Sequence, residues 1–183
     1  MKWTSLLLLG AVLVGCKSTY QVRNYHAPAV QIRPEEGVYI IVPEDGPDEP
    51  GSGGLAAGTL QALFRHYAQR IRQSEEIAPV SIHLTNAAAA GFVYVLKSKI
   101  HLWKEEATGW SGLRDKLDIN LRLLRVPGGE VVSEARVQGQ SAQMGWTADR
   151  VEHLLKGIGG KWVGALYGRS EFQTQNNEDK AKK

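Results

Sequence analysis

The run Val38-Tyr39-Ile40-Ile41-Val42 is apolar without interruption, mostly β-branched, and ended by Pro43, which predicts a strand buried on both faces and central in a sheet. A Gly/Pro/acidic stretch from Glu44 to Gly54 follows as a loop. Leu60, Leu63, Phe64, Tyr67 and Ile71 then recur at helical spacing, with Arg65, Gln69, Arg70 and Arg72 mostly elsewhere, so an amphipathic helix is expected with Ser52 as a cap near its start. Residues 76–91 admit two readings, of which strand (Ile77 to Ile82) then short helix (Thr85 to Ala90, closed by Gly91) is preferred.

From residue 92 the period changes to two. Phe92, Tyr94, Leu96, Ile100 and Leu102 share one parity, against Lys97, Lys99 and His101 on the other. Leu117, Ile119, Leu121 and Leu123 alternate in the same way with Lys116, Asp118, Asn120 and Arg122. After the turn Pro127-Gly128-Gly129, Val131, Ala135 and Val137 alternate with Glu134, Arg136 and Gln138. A last helix, capped by Thr147, carries a wide apolar stripe of Val151, Leu154, Leu155, Ile158, Trp162, Val163 and Leu166, and Gly168 ends it. Gly157, Gly159 and Gly160 each cost such a helix about 1 kcal/mol against Ala, which points to close packing or a kink.

Two helices with one apolar stripe each and a meander with one apolar face fit an α+β, two-layer sandwich. Its mixed sheet has a C-terminal antiparallel three-strand meander and both main helices on one face, leaving the other face charged and wet. The domain spans residues 37–168; residues 16–36, with Pro28 and Pro34 among polar neighbours, read as a tether, and residues 169–183 lack an apolar period and read as a disordered tail.

Residues 1–15 have the parts of an export signal: Lys2, an apolar stretch from Leu6 to Val14, and small residues before the chain's one cysteine. The stretch is shorter than the roughly 20 apolar residues that span a bilayer. Leu13-Val14-Gly15-Cys16 resembles the lipobox of bacterial lipoproteins, which implies diacylation of the Cys16 thiol, cleavage before it and acylation of the new amine. Three acyl chains anchor firmly where one binds only marginally. In that class an Asp after the cysteine favours inner-membrane retention; Lys17 and Ser18 stand here, so the outer membrane, periplasmic face, is the expected site. With Cys16 consumed by lipid, no thiol remains for a disulfide or a nucleophile.

The formal charge of +3 comes from Lys and Arg spread along the chain, without the dense basic block that nucleic acid would require. The order strand, helix, short strand and helix, meander, helix is similar to that of TolB-like amino-terminal and CsgG-like envelope domains. Gly91-Phe92-Val93-Tyr94-Val95-Leu96, Leu102-Trp103-Lys104-Glu105-Glu106, Thr108-Gly109-Trp110-Ser111-Gly112 and Gly129-Glu130-Val131-Val132-Ser133 resemble segments of a family of short Gram-negative lipoproteins known only as a domain of unknown function. The resemblance implies a fold and supplies no catalytic residues; its CsgG-like part also admits a homo-oligomeric ring.

Candidate chemistry is sparse. Asp45, Asp48 and Glu49 lack calcium-loop spacing, and Gly51-Ser52-Gly53-Gly54 lacks the lysine of a phosphate cradle. His26, His66, His83, His101 and His153 show no zinc spacing and are expected at the surface or at edges. No serine has a nucleophile setting. The expectation is therefore no enzyme, no metal and no cofactor. The segment from Trp103 to Lys116 joins two strands, and parity places Trp103 on the polar face with Trp110 near the tip, a composition suited to a partner-binding edge unless Trp110 folds over the core. Two functions follow: a lipid-anchored, periplasm-facing adaptor or accessory protein contacting another envelope protein, or a module binding a small molecule or cell-wall fragment between helices and sheet near the Glu44 to Gly54 loop.

Overall fold

The computed structural model describes residues 18–28, 31–75, 78–106, 113–141 and 150–169. In chain order these form β1 (Thr19–His26), a 3₁₀ turn (Pro34–Glu36), β2 (Val38–Ile40), α1 (Ser52–Phe64), β3 (Ile71–Gln73), α2 (Val80–Ala89), β4 (Tyr94–Lys104), β5 (Lys116–Arg125), β6 (Glu130–Gln140) and α3 (Val151–Leu166). The six strands make one mixed sheet in the order β1-β6-β5-β4-β2-β3. β2 runs parallel to both β3 and β4, whereas β4, β5, β6 and β1 are successively antiparallel. The fold is thus the expected α+β sandwich with its meander.

The alternation read from the sequence sets the main core. Leu117, Ile119, Leu121 and Leu123 of β5 and Ala135 and Val137 of β6 face α1 and α3, where Ala56, Ala57, Leu60 and Phe64 meet Leu154, Leu155, Trp162 and Leu166. Phe64 lies edge-on to Trp162, and the Trp162 indole N–H donates to Ser133 Oγ at 3.3 Å. β2 is interior as expected, with Val38 and Ile40 in this core and Tyr39 and Ile41 on the opposite face.

Five expectations change. The segment 17–36 is no simple tether, because Thr19–His26 pairs with β6 as the edge strand. Tyr20 and Val22 share its inward parity, and Tyr25 joins the core only after an irregularity in the pairing, so no period shows. The glycines make room for it: a Cβ on Gly157 would lie 2.8 Å from the Tyr20 hydroxyl, and one on Gly139 would lie 3.4 Å from its ring. Gly159 and Gly160 similarly admit Leu63 of α1, so close packing explains the glycines of α3.

α1 ends at Phe64 and not near Ile71, which instead pairs with Val38 as β3. α1 begins at Ser52, where its start was expected, and Gly53 is required there: a Cβ would fall 2.2 Å from the Pro43 carbonyl oxygen. Ser52 does not cap the helix; its hydroxyl accepts from Gly46 N–H at 2.8 Å. The expected strand from Ile77 to Ile82 is also replaced. From Val80 onward this segment is α2, and Ile82 is 48% exposed.

Finally, the second sheet face is only partly wet. Val80, Leu84 and Ala87 of α2 cover Tyr39, Ile41, Phe92, Val95 and Leu124, leaving the β5–β6–β1 part open. α2 and α3 both end as expected at glycines with positive φ, Gly91 and Gly168. In each the next two N–H groups return to the last turn, Phe92 to Ala87 and Gly91 to Ala88, Arg169 to Gly164 and Gly168 to Ala165. Thr147, expected as a cap, lies outside the described residues.

Candidate functional site

Three surfaces of the described residues bear on function. The first is the open sheet face, where β5 and β6 set oppositely charged side chains across the ladder, Asp118 and Arg136 diagonally and Arg122 and Glu134 directly opposite. Arg136 grips Asp118 with two hydrogen bonds of 2.9 and 2.8 Å, and Gln138 donates a third at 2.7 Å. Burial pushes the Asp118 carboxyl up, but the bonds from Arg136 and Gln138 and the guanidinium charge outweigh it, holding the group below the usual carboxylate range. Arg122 pairs with Glu134 at 2.8 Å, and Asn120 donates to the same carboxylate at 3.0 Å. This face is charged but internally matched.

The second surface is the sheet end from which the β4–β5 connection emerges. The ladder aligns Thr19 with Gln140, Gln140 with Lys116, and Lys116 with Lys104, so the β1 entry and the hairpin mouth share one end. A groove of about 510 Å³ crosses the open face there, lined by Thr19, Gln21, Leu102, Lys116, Asp118 and Gln140 among others. Leu113, beside the hairpin mouth, is 52% exposed.

Trp103 is not part of this surface. A bulge between Ile100 and Leu102 flips the parity of β4, so Leu102 turns to the groove while Trp103 enters the main core at 1% exposure. The assignment of Trp103 to a partner-binding edge is corrected accordingly. Trp110 and Cys16 lie outside the described residues.

The third surface is a cavity of about 350 Å³ at the end of β2, where the chain leaves the sheet. Ile41 to Asp45, Ala78 to Val80, His83 and Lys97 to Ile100 line it. One wall is fixed by Asp45, whose carboxylate accepts from the N–H groups of Gly51 and Gly53 at 2.9 and 2.8 Å, doing at the start of α1 what Ser52 was expected to do. Those bonds draw the Asp45 carboxyl below its ordinary range. A lowered folded-state value means stability that is present above the unfolded value, near pH 4, and lost as pH falls through the folded one. Asp45→Asn should therefore destabilise at pH 7 and converge on wild type below about pH 4. Denaturant melts at both pH values check this, and a gap independent of pH would refute it.

His83 is the residue that sequence reasoning missed. Of the five histidines it alone is deeply buried, at 2% exposure, against the expectation of surface or edge positions. Neither ring nitrogen has a hydrogen-bond partner among the described residues. A helical reading of Val80, His83, Leu84 and Ala87 would have put it on the buried face; the strand reading concealed this. Among the described residues no three His, Cys, Asp or Glu side chains group to hold a metal.

A family profile described as a domain of unknown function (DUF4823) matches residues 30–166. The chain belongs to the DUF4823 family. No curated protein matches it. Among solved structures, a dodecamer of a PelC variant from Paraburkholderia phytofirmans superposes with a TM-score of 0.62 at 16% identity, covering 83% of this DUF4823 chain and 99% of that one. Lipoprotein GNA1162 from Neisseria meningitidis gives a TM-score of 0.39 at 14% identity, covering 56% of this chain and 83% of its own. TolB from Acinetobacter baumannii gives 0.32 at 16% identity over 82% of this chain and 31% of its own, so the expected TolB likeness is weak. The PelC superposition establishes a shared fold for the DUF4823 domain.

Proposed function

We propose that this DUF4823 protein is a lipid-anchored envelope protein on the periplasmic face of the outer membrane, acting through protein contacts, including contacts with copies of itself, and not through catalysis. The observation that carries the reading is the shared end of the sheet. Only two residues separate Cys16 from Thr19, so the β1 end of the domain lies within about 10 Å of a lipid-bearing residue. The hairpin mouth, Leu113 and the groove sit at that same end. A domain held so closely presents a fixed side to its neighbours, and the matched charges of the open face give such contacts direction more than strength.

Self-association is supported by the PelC dodecamer, which has this fold, and by β1, an edge strand able to meet a neighbour. Native mass spectrometry of the full protein extracted in neutral detergent should find a closed multimer. A monomer across all accessible concentrations would remove self-assembly from the reading. A partner of another kind would appear as a co-purifying envelope protein. The cavity beside His83 favours a second reading, ligand binding.

A further inference from the structure

We propose that the cavity between the amino end of α2 and the free edge of β4 binds a small organic monocarboxylate, with the acid group at Lys97, Lys99 and His83 and the apolar body against Ile41, Val80 and Ile100. This takes up the second reading above and depends on neither the anchor nor self-association.

Two polar side chains drive the inference. His83 is 2% exposed and Ser98 7%, and neither ring nitrogen of His83 nor the hydroxyl of Ser98 has a hydrogen-bond partner among the described residues. Buried polar groups are paired in the great majority of cases, so such groups call for an explanation. They come from different elements, α2 and β4, yet both line the same cavity. An imidazole always carries at least one N–H, so His83 offers a donor, and Ser98 can donate or accept.

The backbone adds to this. β2 ends at Ile40, and after Ile41 N–H bonds to the Leu96 carbonyl no strand pairs with that edge of β4 among the described residues. The α2 amino end, preceded by Pro79, has neither a side-chain cap nor an acidic residue in its first turn. Uncapped N–H groups at a helix start favour an anion.

Charge narrows the class of ligand. Lys97 and Lys99 line the cavity and have no ion-pair partner among the described residues. Two carboxylates also line it: Asp45, whose charge is held by the Gly51 and Gly53 N–H groups, and Glu44. The two lysines and two carboxylates balance formally, but the Asp45 carboxylate is bonded to the Gly51 and Gly53 N–H groups, so a single negative charge fits beside Lys97 and Lys99 and a phosphate dianion is disfavoured. Ile41, Val42, Pro43, Val80 and Ile100 supply the apolar wall, and about 350 Å³ falls at the lower end of the range for small-molecule sites.

Butyrate is the test probe, added to the full protein in neutral detergent, with the histidine ring nitrogens followed by NMR. Butyrate should shift the His83 signals saturably, and Lys97→Ala with Lys99→Ala should weaken binding about tenfold or more. Butylamine and butanol should leave the signals unmoved. Where the double variant is unstable, the exposed single variant Lys99→Ala supplies the same readout at about threefold. The proposal is overturned by the absence of a saturable His83 shift, by equal shifts with butanol or butylamine, or by unchanged butyrate affinity in the lysine variants.

Discussion

Trp103→Ala should lower the unfolding free energy by about 3 to 5 kcal/mol, the range for deleting a buried aromatic side chain. The indole is 1% exposed and belongs to the main core with Ile100, Leu117 and Ile119. The loop after β2 closes over it: a Cβ on Gly46 would lie 3.4 Å from the Trp103 Cβ, so little can collapse into the space that truncation leaves. The indole N–H has no partner among the described residues, so its contribution is apolar area and contact without a hydrogen bond. Trp103→Phe, which retains much of that area and removes the unpaired donor, should cost distinctly less than the alanine variant. Denaturant melts of both check the ranking. A loss below about 1 kcal/mol in the alanine variant would return Trp103 to the surface, where substitutions away from special features usually stay within about 0.5 kcal/mol.

Trp103 also shows where sequence parity stops working. Counting by twos from Tyr94 assigns every residue to Ile100 correctly, because one side of that strand meets α1 and α3 and the other meets α2 or solvent. A single bulge then exchanges the two sides, and no residue type marks it: Ile100-His101-Leu102-Trp103 is compatible with either phase. The apolar run of β5 was legible, and that of β6 from Ala135 onward; at its start a register shift between Leu123 and Leu124 changes the phase, so Val131, read with Ala135 and Val137, is 46% exposed. The stripe of α3 was legible because seven large apolar residues repeat at one spacing, and all seven are buried.

Short elements were not legible for a different reason. β3 has three residues, and the inward side chains of β1, Tyr20, Val22 and Tyr25, are out of phase across an irregularity, so tertiary pairing and not local pattern determines them. α2 is short and rests on one small cluster; its Val80-Ser81-Ile82 start reads as a strand until the opposite sheet face is present to bury Leu84 and Ala87. That misreading had a functional consequence, since it is the helix that carries His83 inward to the cavity with Ser98. The candidate site therefore depends on elements separated by sequence, the loop after β2, the first turn of α2 and the middle of β4, and no spacing rule joins them.

Cys16→Ala should abolish lipid attachment and with it stable retention of the mature domain at the membrane. The expectation starts from Leu13-Val14-Gly15-Cys16, in which the thiol is the side-chain group that the first lipid joins, ahead of cleavage and acylation of the new amine. Each buried methylene contributes about 0.8 kcal/mol, so loss of the acyl chains removes far more binding than scattered surface lysines can replace. Among the described residues no helix is long and apolar enough to cross a membrane, so no helical span of theirs takes over the role. The variant should accumulate as uncut precursor or lose its place in membrane fractions, while its thermal midpoint, set by the core of the described residues, should stay near wild type. Metabolic labelling with a fatty acid, fractionation and a thermal melt on one preparation separate the cases. Label on the variant at the wild-type level would end the lipoprotein reading. Loss of label with an equal loss of folding would mean that β1, which begins three residues later, needs the anchored end in order to pair with β6.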